Sequence, residues 1–338
     1  METLYILTNF YGSIPQVMHE TDSLNIYQLK NYLSRRFVVN IMTLEEVQEC
    51  LDPDSISGCY FFYSSSQFPS YKKYIEDILQ YILISGGILI PRFELFLCHE
   101  NKSFQYLMSK RYHLDMPFSY LVSSLEHFKK LSNNITFPCI LKKADGSSSS
   151  SVWLINTISE GVSRIKKNMA YSLPKGKNLF RHYRYKNKYI GKLPLYSGSY
   201  LVQKFLDDCS FDWKVLNFSG KFFVLKRFPK EGDFKSSGSG NFHIDPIVED
   251  SLLEFAKNIS SRLRTTFVSL DISMSNGSYY LLEFQPIHFG LYTLLNSKFY
   301  YCQNGNEWQR LPNVDFTPEK MFGEAIVSYV NEMASVVR

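Results

Sequence analysis

FPCILKKADGSSSSSVWLI, Phe137 to Ile155, is the stretch on which the fold turns. An apolar run containing Ile140 and Leu141 ends on two lysines, Lys142 and Lys143. Asp145-Gly146 and the serines Ser147 to Ser151 follow before the chain turns apolar again. Cations at the end of a buried strand, followed by a hydroxyl-rich loop, suit an anion. Backbone amides of a Gly/Ser loop can converge on phosphate oxygens, and lysine adds charge. The Gly-Lys-Ser/Thr order of a Walker loop is absent. Taken alone the pattern also fits a surface turn, so its meaning depends on what flanks it.

Downstream, three stretches carry chemistry. YLVQKFLDDCSFDWKV (Tyr200–Val215) runs apolar, then acidic, then apolar. VLKRFPKEGDFKSSGSGNF (Val224–Phe242) joins Lys226-Arg227 to a second Gly/Ser loop. VSLDISMSNGSYYLLEFQP (Val268–Pro286) places Asp271 on one strand and Glu283, with Gln285 two residues on, on the next. Pairing through Asn276-Gly277 brings Asp271 and Glu283 together, and alternation puts Glu283 and Gln285 on one face. Carboxylates with an amide oxygen are hard ligands suited to Mg²⁺. A structural salt bridge to a lysine is the competing reading for these acids.

Upstream, Leu4–Leu7, Phe37–Ile41, Cys59–Tyr63 and Ile88–Ile90 read as strands, with helical spacing at Ser23–Arg35 and Tyr71–Leu83. Strand–helix alternation implies a parallel sheet with covered faces. Pro91 closes this unit and His99–Lys110 begins a new helix. Beyond Ser119, strand runs dominate: Cys139–Lys142, Val152–Ile155, Tyr200–Leu206, Trp213–Phe218, Phe222–Lys226, Phe267–Ile272 and Tyr279–Phe284. Helices are expected at Asp250–Leu263 and Thr317–Met333. The fold class is therefore α/β followed by α+β, the latter with antiparallel sheets.

The chain has 338 residues, 45% of them hydrophobic, which is enough for two or three units of structure. A net charge of +5, from 37 basic and 32 acidic residues, does not argue for nucleic acid. The 6 cysteines are scattered without a CxxC pair, so a disulfide framework and a zinc site both lack support. The N-terminus lacks the pattern of a signal peptide, and the longest apolar run, near Tyr81–Pro91, is too short to span a bilayer. No membrane association is expected, and the best reading is a cytoplasmic protein. Arg164 to Lys192 is rich in lysine and arginine and has no acid. It reads either as a solvated insertion or as a rim that attracts an anionic substrate, such as a nucleotide sugar or phosphate ester. Interleaved Tyr183, Tyr185 and Tyr189 would suit a nucleic-acid groove, but no nucleic-acid module accompanies them.

In this order the motifs resemble the ATP-grasp superfamily of carboxylate–amine ligases, which includes D-alanine–D-alanine ligase, glutathione synthetase and the ribosomal-protein glutamate ligases. The resemblance covers roughly residues 94–290. It implies a pre-ATP-grasp α/β domain at 1–98, an ATP-grasp N-terminal subdomain at 99–206 and a C-terminal subdomain at 207–338. HENK, ending on Lys102, looks like the family's helix start near the nucleotide phosphates. FPCILKK looks like its phosphate-lysine strand, which would make Lys142 the contact, with Lys143 where the family usually has proline. Ser147, Ser148 and Ser149 would belong to the phosphate-covering loop. LVQKFL resembles the adenine-reading hinge, with Gln203 at the exocyclic amine and backbone groups of Lys204 and Phe205. Asp212 would hold the ribose hydroxyls, with Asp208 as a rival.

Lys226 and Arg227 resemble the pair beside the transferred phosphate, with Arg227 stabilising the acylphosphate or oxyanion. Asp271, Glu283 and Gln285 fall on the metal positions, where Gln replaces the usual Asn. The implied activity is ATP-dependent joining of a carboxylate to an amine through an acylphosphate. ATP and Mg²⁺ would be the cofactors and small-molecule carboxylates and amines the substrates. The oligomeric state stays open, although homodimers are common among such proteins. Two alternatives stand beside it: an ATP-grasp kinase acting on a hydroxyl of a small anionic substrate, and a nucleotide-binding module without catalysis. His243 and His288 flank the motifs and read as proton-transfer, substrate-binding or structural histidines.

Overall fold

The computed structural model describes residues 1–16, 23–144, 151–168, 170–171 and 196–336. The chain folds as two compact units. Met1–His99, Arg111–Asp115 and Cys209–Arg338 form the first; Glu100–Lys110 and Met116–Asp208 form the second.

In the first unit, β1 (Glu2–Thr8), β2 (Phe37–Thr43), β3 (Tyr60–Phe62) and β4 (Ile88–Ile90) make a parallel sheet in the order β2-β1-β3-β4. Period-two alternation sends Leu4 and Ile6 to one face and Tyr5 and Leu7 to the other. The second face buries Leu7, Phe61 and Leu89 against Ile75, Ile78, Leu79 and Ile82 of the helix Pro69–Ile84. The helix expected at Ser23–Arg35 spans Ile26–Leu33, because the Asn25 side chain accepts from the Gln28 amide and starts it there.

The second unit holds β5 (Ser119–Ser124), β6 (Cys139–Lys143), β7 (Val152–Ile155), β8 (Ala170–Tyr171) and β9 (Tyr196–Lys204). They form an antiparallel sheet ordered β5-β9-β6-β7, with β8 also on β9. Its core joins Leu141, Ile155, Tyr200 and Val202 to Phe128 of the helix Leu125–Leu131 and Ile165 of the helix Ile158–Asn168.

Back in the first unit lie β10 (Asp212–Phe218), β11 (Lys221–Arg227), β12 (Phe242–Ile244), β13 (Phe267–Ser275), β14 (Ser278–Gln285), β15 (Phe299–Asn304) and β16 (Glu307–Pro312). Their sheet runs β14-β13-β10-β11-β15-β16, with β12 also on β11. Asn276 and Gly277 both have positive φ, 49° and 72°, which the two-residue turn between β13 and β14 demands. One core takes Leu4, Ile6 and Phe62 from the parallel sheet, Leu216, Phe218, Phe223 and Phe267 from this sheet, and Met321, Phe322, Ala325 and Ile326 from the helix Pro318–Val336. The segments 1–98 and 207–338 thus share a core. Among the described residues, no helix is long and apolar enough to cross a membrane.

Candidate functional site

Directly opposed residues on antiparallel strands point to the same face, so the register fixes what gathers on the large sheet. Arg227 on β11 opposes Asp212 on β10, and Asp212 opposes Ser273 on β13. Lys214 opposes Asp271, Asp271 opposes Glu283 on β14, and Ser269 opposes Gln285. The pairing then shifts to Ile272 opposite Leu281, so Leu282 bulges out between them. That bulge sets Glu283 and Gln285 on the same face as Asp271. Further along the same rows, Leu216, Phe223 and Phe267 enter the core. Each strand is therefore apolar at one end of this face and charged at the other.

The charged end is a connected network. Arg227 Nε donates to Asp212 Oδ1 at 2.6 Å, and Arg227 Nη2 lies 3.0 Å from Asp271 Oδ2. Lys214 Nζ donates to Asp271 Oδ1 at 3.3 Å, and Gln285 Nε2 donates to Glu283 Oε1 at 2.9 Å. Burial pushes the Asp212 carboxyl up to about 6, against the pull of Arg227 and with the charge of Asp271 adding to the rise. Burial also penalises Asp271, but Arg227 and then Lys214 outweigh it and draw this carboxyl down to about 2. Two acids sharing one guanidinium are thus driven apart, one poised near neutrality and one firmly ionised.

The overall fold is shared with known structures. The structure of the D-cycloserine synthetase DcsG matches with a TM-score of 0.55 at 12% identity, covering 96% of this chain and 99% of that one. The ATP-grasp ligase PsnB complexed with minimal precursor, Mg and ADP matches with a TM-score of 0.55 at 12% identity, over 97% and 98% of the two chains. D-alanine–D-alanine ligase from Bacillus anthracis complexed with ATP gives 0.54 at 12% identity, over 99% of each chain. This chain has the ATP-grasp fold. No family model matches the sequence, and no curated protein matches it either.

Within that ATP-grasp fold the expected residues divide into groups. Asp212, Arg227, Asp271, Glu283 and Gln285 share one face, and Lys214, which sequence reasoning missed, joins them. Its signal was available, since DWKV places it two residues after Asp212 on the same side of a strand. Lys226 is set apart, because alternation turns it to the opposite face. Its Nζ sits 3.5 Å from the centroid of the Phe211 ring as a cation–π contact, and His243 opposes it on β12. Asp208 lies in an exposed turn, whereas Asp212 is buried.

In the second unit, Lys142 is the penultimate residue of β6, with its side chain buried. Lys102 is buried at the start of the helix Lys102–Tyr112, where its amide donates to the Ala144 carbonyl at 3.0 Å. That bond brings the helix start to the end of β6. Gln203 on β9 is buried with Nε2 lacking a hydrogen-bond partner. The Lys204 amide donates to the Phe118 carbonyl at 2.9 Å, so of its backbone groups the N–H is already engaged. Phe205 follows directly after β9, half-buried. Ser147, Ser148 and Ser149, and most of the basic segment 164–192, lie outside the described residues.

The donor chemistry of β13 and β14 suits a hard divalent cation. Asp271 and Glu283 offer carboxylate oxygens and Gln285 an amide oxygen, all on one face, and Gln285 Nε2 already donates to Glu283. Asp271 is tied to Arg227 and Lys214. Among the described residues no group of three or more histidine, cysteine, aspartate or glutamate side chains is placed to hold a metal ion, so this set, with two carboxylates, relies on the Gln285 amide as its third member.

Proposed function

We propose that the protein is an ATP-dependent ligase that joins a carboxylate to an amine through an acylphosphate, releasing ADP and phosphate. The observation that carries this reading is the charged end of the large sheet, where Arg227, Asp212, Lys214, Asp271, Glu283 and Gln285 share a face within an ATP-grasp fold. Glu283 and Gln285 would hold Mg²⁺, with Asp271 as third ligand. The ion would supply Lewis-acid stabilisation for charge on the transferring phosphoryl group. Arg227, fixed by Asp212 and Asp271, would keep its guanidinium oriented for an oxyanion or phosphoryl oxygen without reorganisation. On the second unit, Lys102 and Lys142 would serve the nucleotide phosphates and Gln203 the adenine. PsnB, which was solved with a precursor, Mg and ADP, supports a nucleotide and a divalent ion as ligands. In this reading residues 1–98 are the pre-ATP-grasp domain, 99–206 the N-terminal subdomain and 207–338 the C-terminal one.

Incubation with Mg·ATP, pooled amino acids as carboxylates and hydroxylamine tests the chemistry. A trapped acylphosphate yields hydroxamate together with ADP; ADP without hydroxamate would support the kinase alternative instead. Glu283→Ala is expected to cut turnover on the order of 100-fold or more, the loss typical of damage to a metal site. Its circular dichroism should be unchanged. Wild-type turnover in this variant would overturn the metal assignment.

A further inference from the structure

Two surface rings stand beside the buried charges of the large sheet. Phe242 on β12 opposes Arg227 on β11, so its side chain leaves the sheet on the Arg227 face. The Phe228 amide donates to the Asn241 carbonyl at 2.9 Å, which extends the β11–β12 pairing by one rung and holds that register. The helix Tyr292–Asn296 packs on the same face, because its Leu294 joins Leu216 of β10 and Phe223 of β11 in the core. Leu216 lies in the row of Asp212 and Lys214, and Phe223 in the row of Arg227. The first residue of that helix, Tyr292, meets Phe242 edge-on, with ring centroids 5.3 Å apart and planes at 71°. Strand register and helix docking thus set one aromatic pair next to Arg227.

Exposure separates the pair from its surroundings. Arg227, Asp212, Leu225 and Leu294 are buried, whereas Phe242 is 40% exposed and Tyr292 49%. Leu295, 63% exposed, lies three residues after Tyr292 and so beside it on the helix surface. Single exposed apolar side chains are ordinary on a protein surface. Three in succession, continuous with an arginine that two carboxylates hold in place, form an apolar patch at the rim of a polar site, the arrangement by which binding sites combine affinity with orientation.

We propose that Phe242 and Tyr292, with Leu295 at the margin, receive the side group of the carboxylate substrate, so that the protein activates an acid bearing an aromatic or branched aliphatic group. This rests on the ligase reading and deepens it. With Arg227 oriented toward an oxygen on the acyl carbon, the group attached to that carbon lies about one cross-strand spacing away, about 5 Å, which is the distance to Phe242. Apolar surface placed there leaves water on both partners, and the rings add an edge or face contact to an aromatic group. A methyl group covers too little of the rings to benefit, and a charged side group would lose water against them.

The test uses the whole protein and three probes: 4-fluorophenylacetate, isovalerate and acetate. Saturation-transfer NMR without nucleotide reads their binding, and hydroxamate formation with Mg·ATP and hydroxylamine reads their turnover. 4-Fluorophenylacetate should bind at least about tenfold more tightly than acetate, with isovalerate between them. Phe242→Ser and Tyr292→Ser should each shrink that margin about fivefold, and Phe242→Leu, which stays apolar, should restore most of it. Circular dichroism should stay unchanged, since both rings are half-exposed. No binding of 4-fluorophenylacetate, equal affinity for acetate, or an unchanged margin in both serine variants would overturn the proposal. Ring-dependent binding with no hydroxamate from any acid would leave this subsite standing and remove the ligase reading. Hydroxamate at equal kcat/KM from all three acids would do the reverse.

Discussion

Asp212 is an acid that burial drives toward its neutral form while Arg227 holds it in place at 2.6 Å. Its carboxyl is raised from 3.8 to about 6, so between these values the folded chain binds a proton that the unfolded chain has released. Stability from this group is therefore full below about pH 4 and declines as pH rises through about 6. By about pH 7 the loss amounts to about 2–3 kcal/mol. Asp271 has the opposite sign. Its value is lowered to about 2, so its contribution is present above the ordinary carboxylate range and fades only under stronger acid. Asp212→Asn keeps an oxygen for the Arg227 hydrogen bond but cannot titrate. Urea unfolding at about pH 4 and about pH 7 should show the wild type losing about 2–3 kcal/mol more than the variant across that interval. Identical slopes would mean that Asp212 titrates normally. The family resemblance singled out Asp212 in SFDWKV, as a residue that would hold the ribose hydroxyls. Its ion pair with Arg227 was not readable, because the partner is chosen by the β10–β11 register.

The elements were legible wherever a local signal sets them. Strands β10 and β13 alternate with period two, and Asn276-Gly277 announces their hairpin partner β14. The β15–β16 hairpin carries the same kind of signal at Asn304-Gly305, yet neither strand was expected, since β15 has no clean alternation. Strand β5 was missed too, because SYLVSS is too short and polar to stand out. Packing between helices is less visible still, and Gly323 shows why. It sits inside the helix Pro318–Val336, where glycine costs about 1 kcal/mol relative to alanine. The compensation is contact, because a Cβ there would meet the Tyr32 ring at 2.4 Å. Tyr32 belongs to the helix Ile26–Leu33, so a missing methyl group lets these two helices approach. Gly323→Ala should therefore lower stability by about 1–3 kcal/mol despite its better helix propensity, as overpacking does. A rise in melting temperature would show that the ring moves aside freely.

At the scale of the whole molecule, the decisive fact is that the first and last thirds of the chain belong to one compact unit. The family resemblance implied three segments at 1–98, 99–206 and 207–338; hydrophobic patterning tells how much a strand buries but not what it buries against, so the core common to the first and third was not readable. Phe322 displays that common core. Its ring lies 5.9 Å from that of Phe62 in the parallel sheet, and 5.2 Å from those of both Phe218 and Phe267 in the large sheet. Phe62 and Phe267, from two different sheets, therefore pack against a single side chain. Truncating it to alanine removes a fully buried ring, at a typical cost of about 3–5 kcal/mol. That loss should not be confined to the closing helix. Native-state hydrogen exchange should show the slowest amides of β1 and β3 losing protection by the same free energy as those of β10 and β13, because all four strands open together. The amides of β6 and β9, in the second unit with its own core, should keep their protection. Phe322→Leu, a milder change, gives the same pattern at smaller amplitude if the alanine variant is too unstable to purify. Should β10 and β13 weaken while β1 and β3 do not, the parallel sheet would be an autonomous domain resting on the large sheet. The carboxylates of β13 and β14 would then owe nothing to the N-terminal segment. A common change ties them together: the strands that carry Asp271 and Glu283 would be held in register by the same core that supports the parallel sheet.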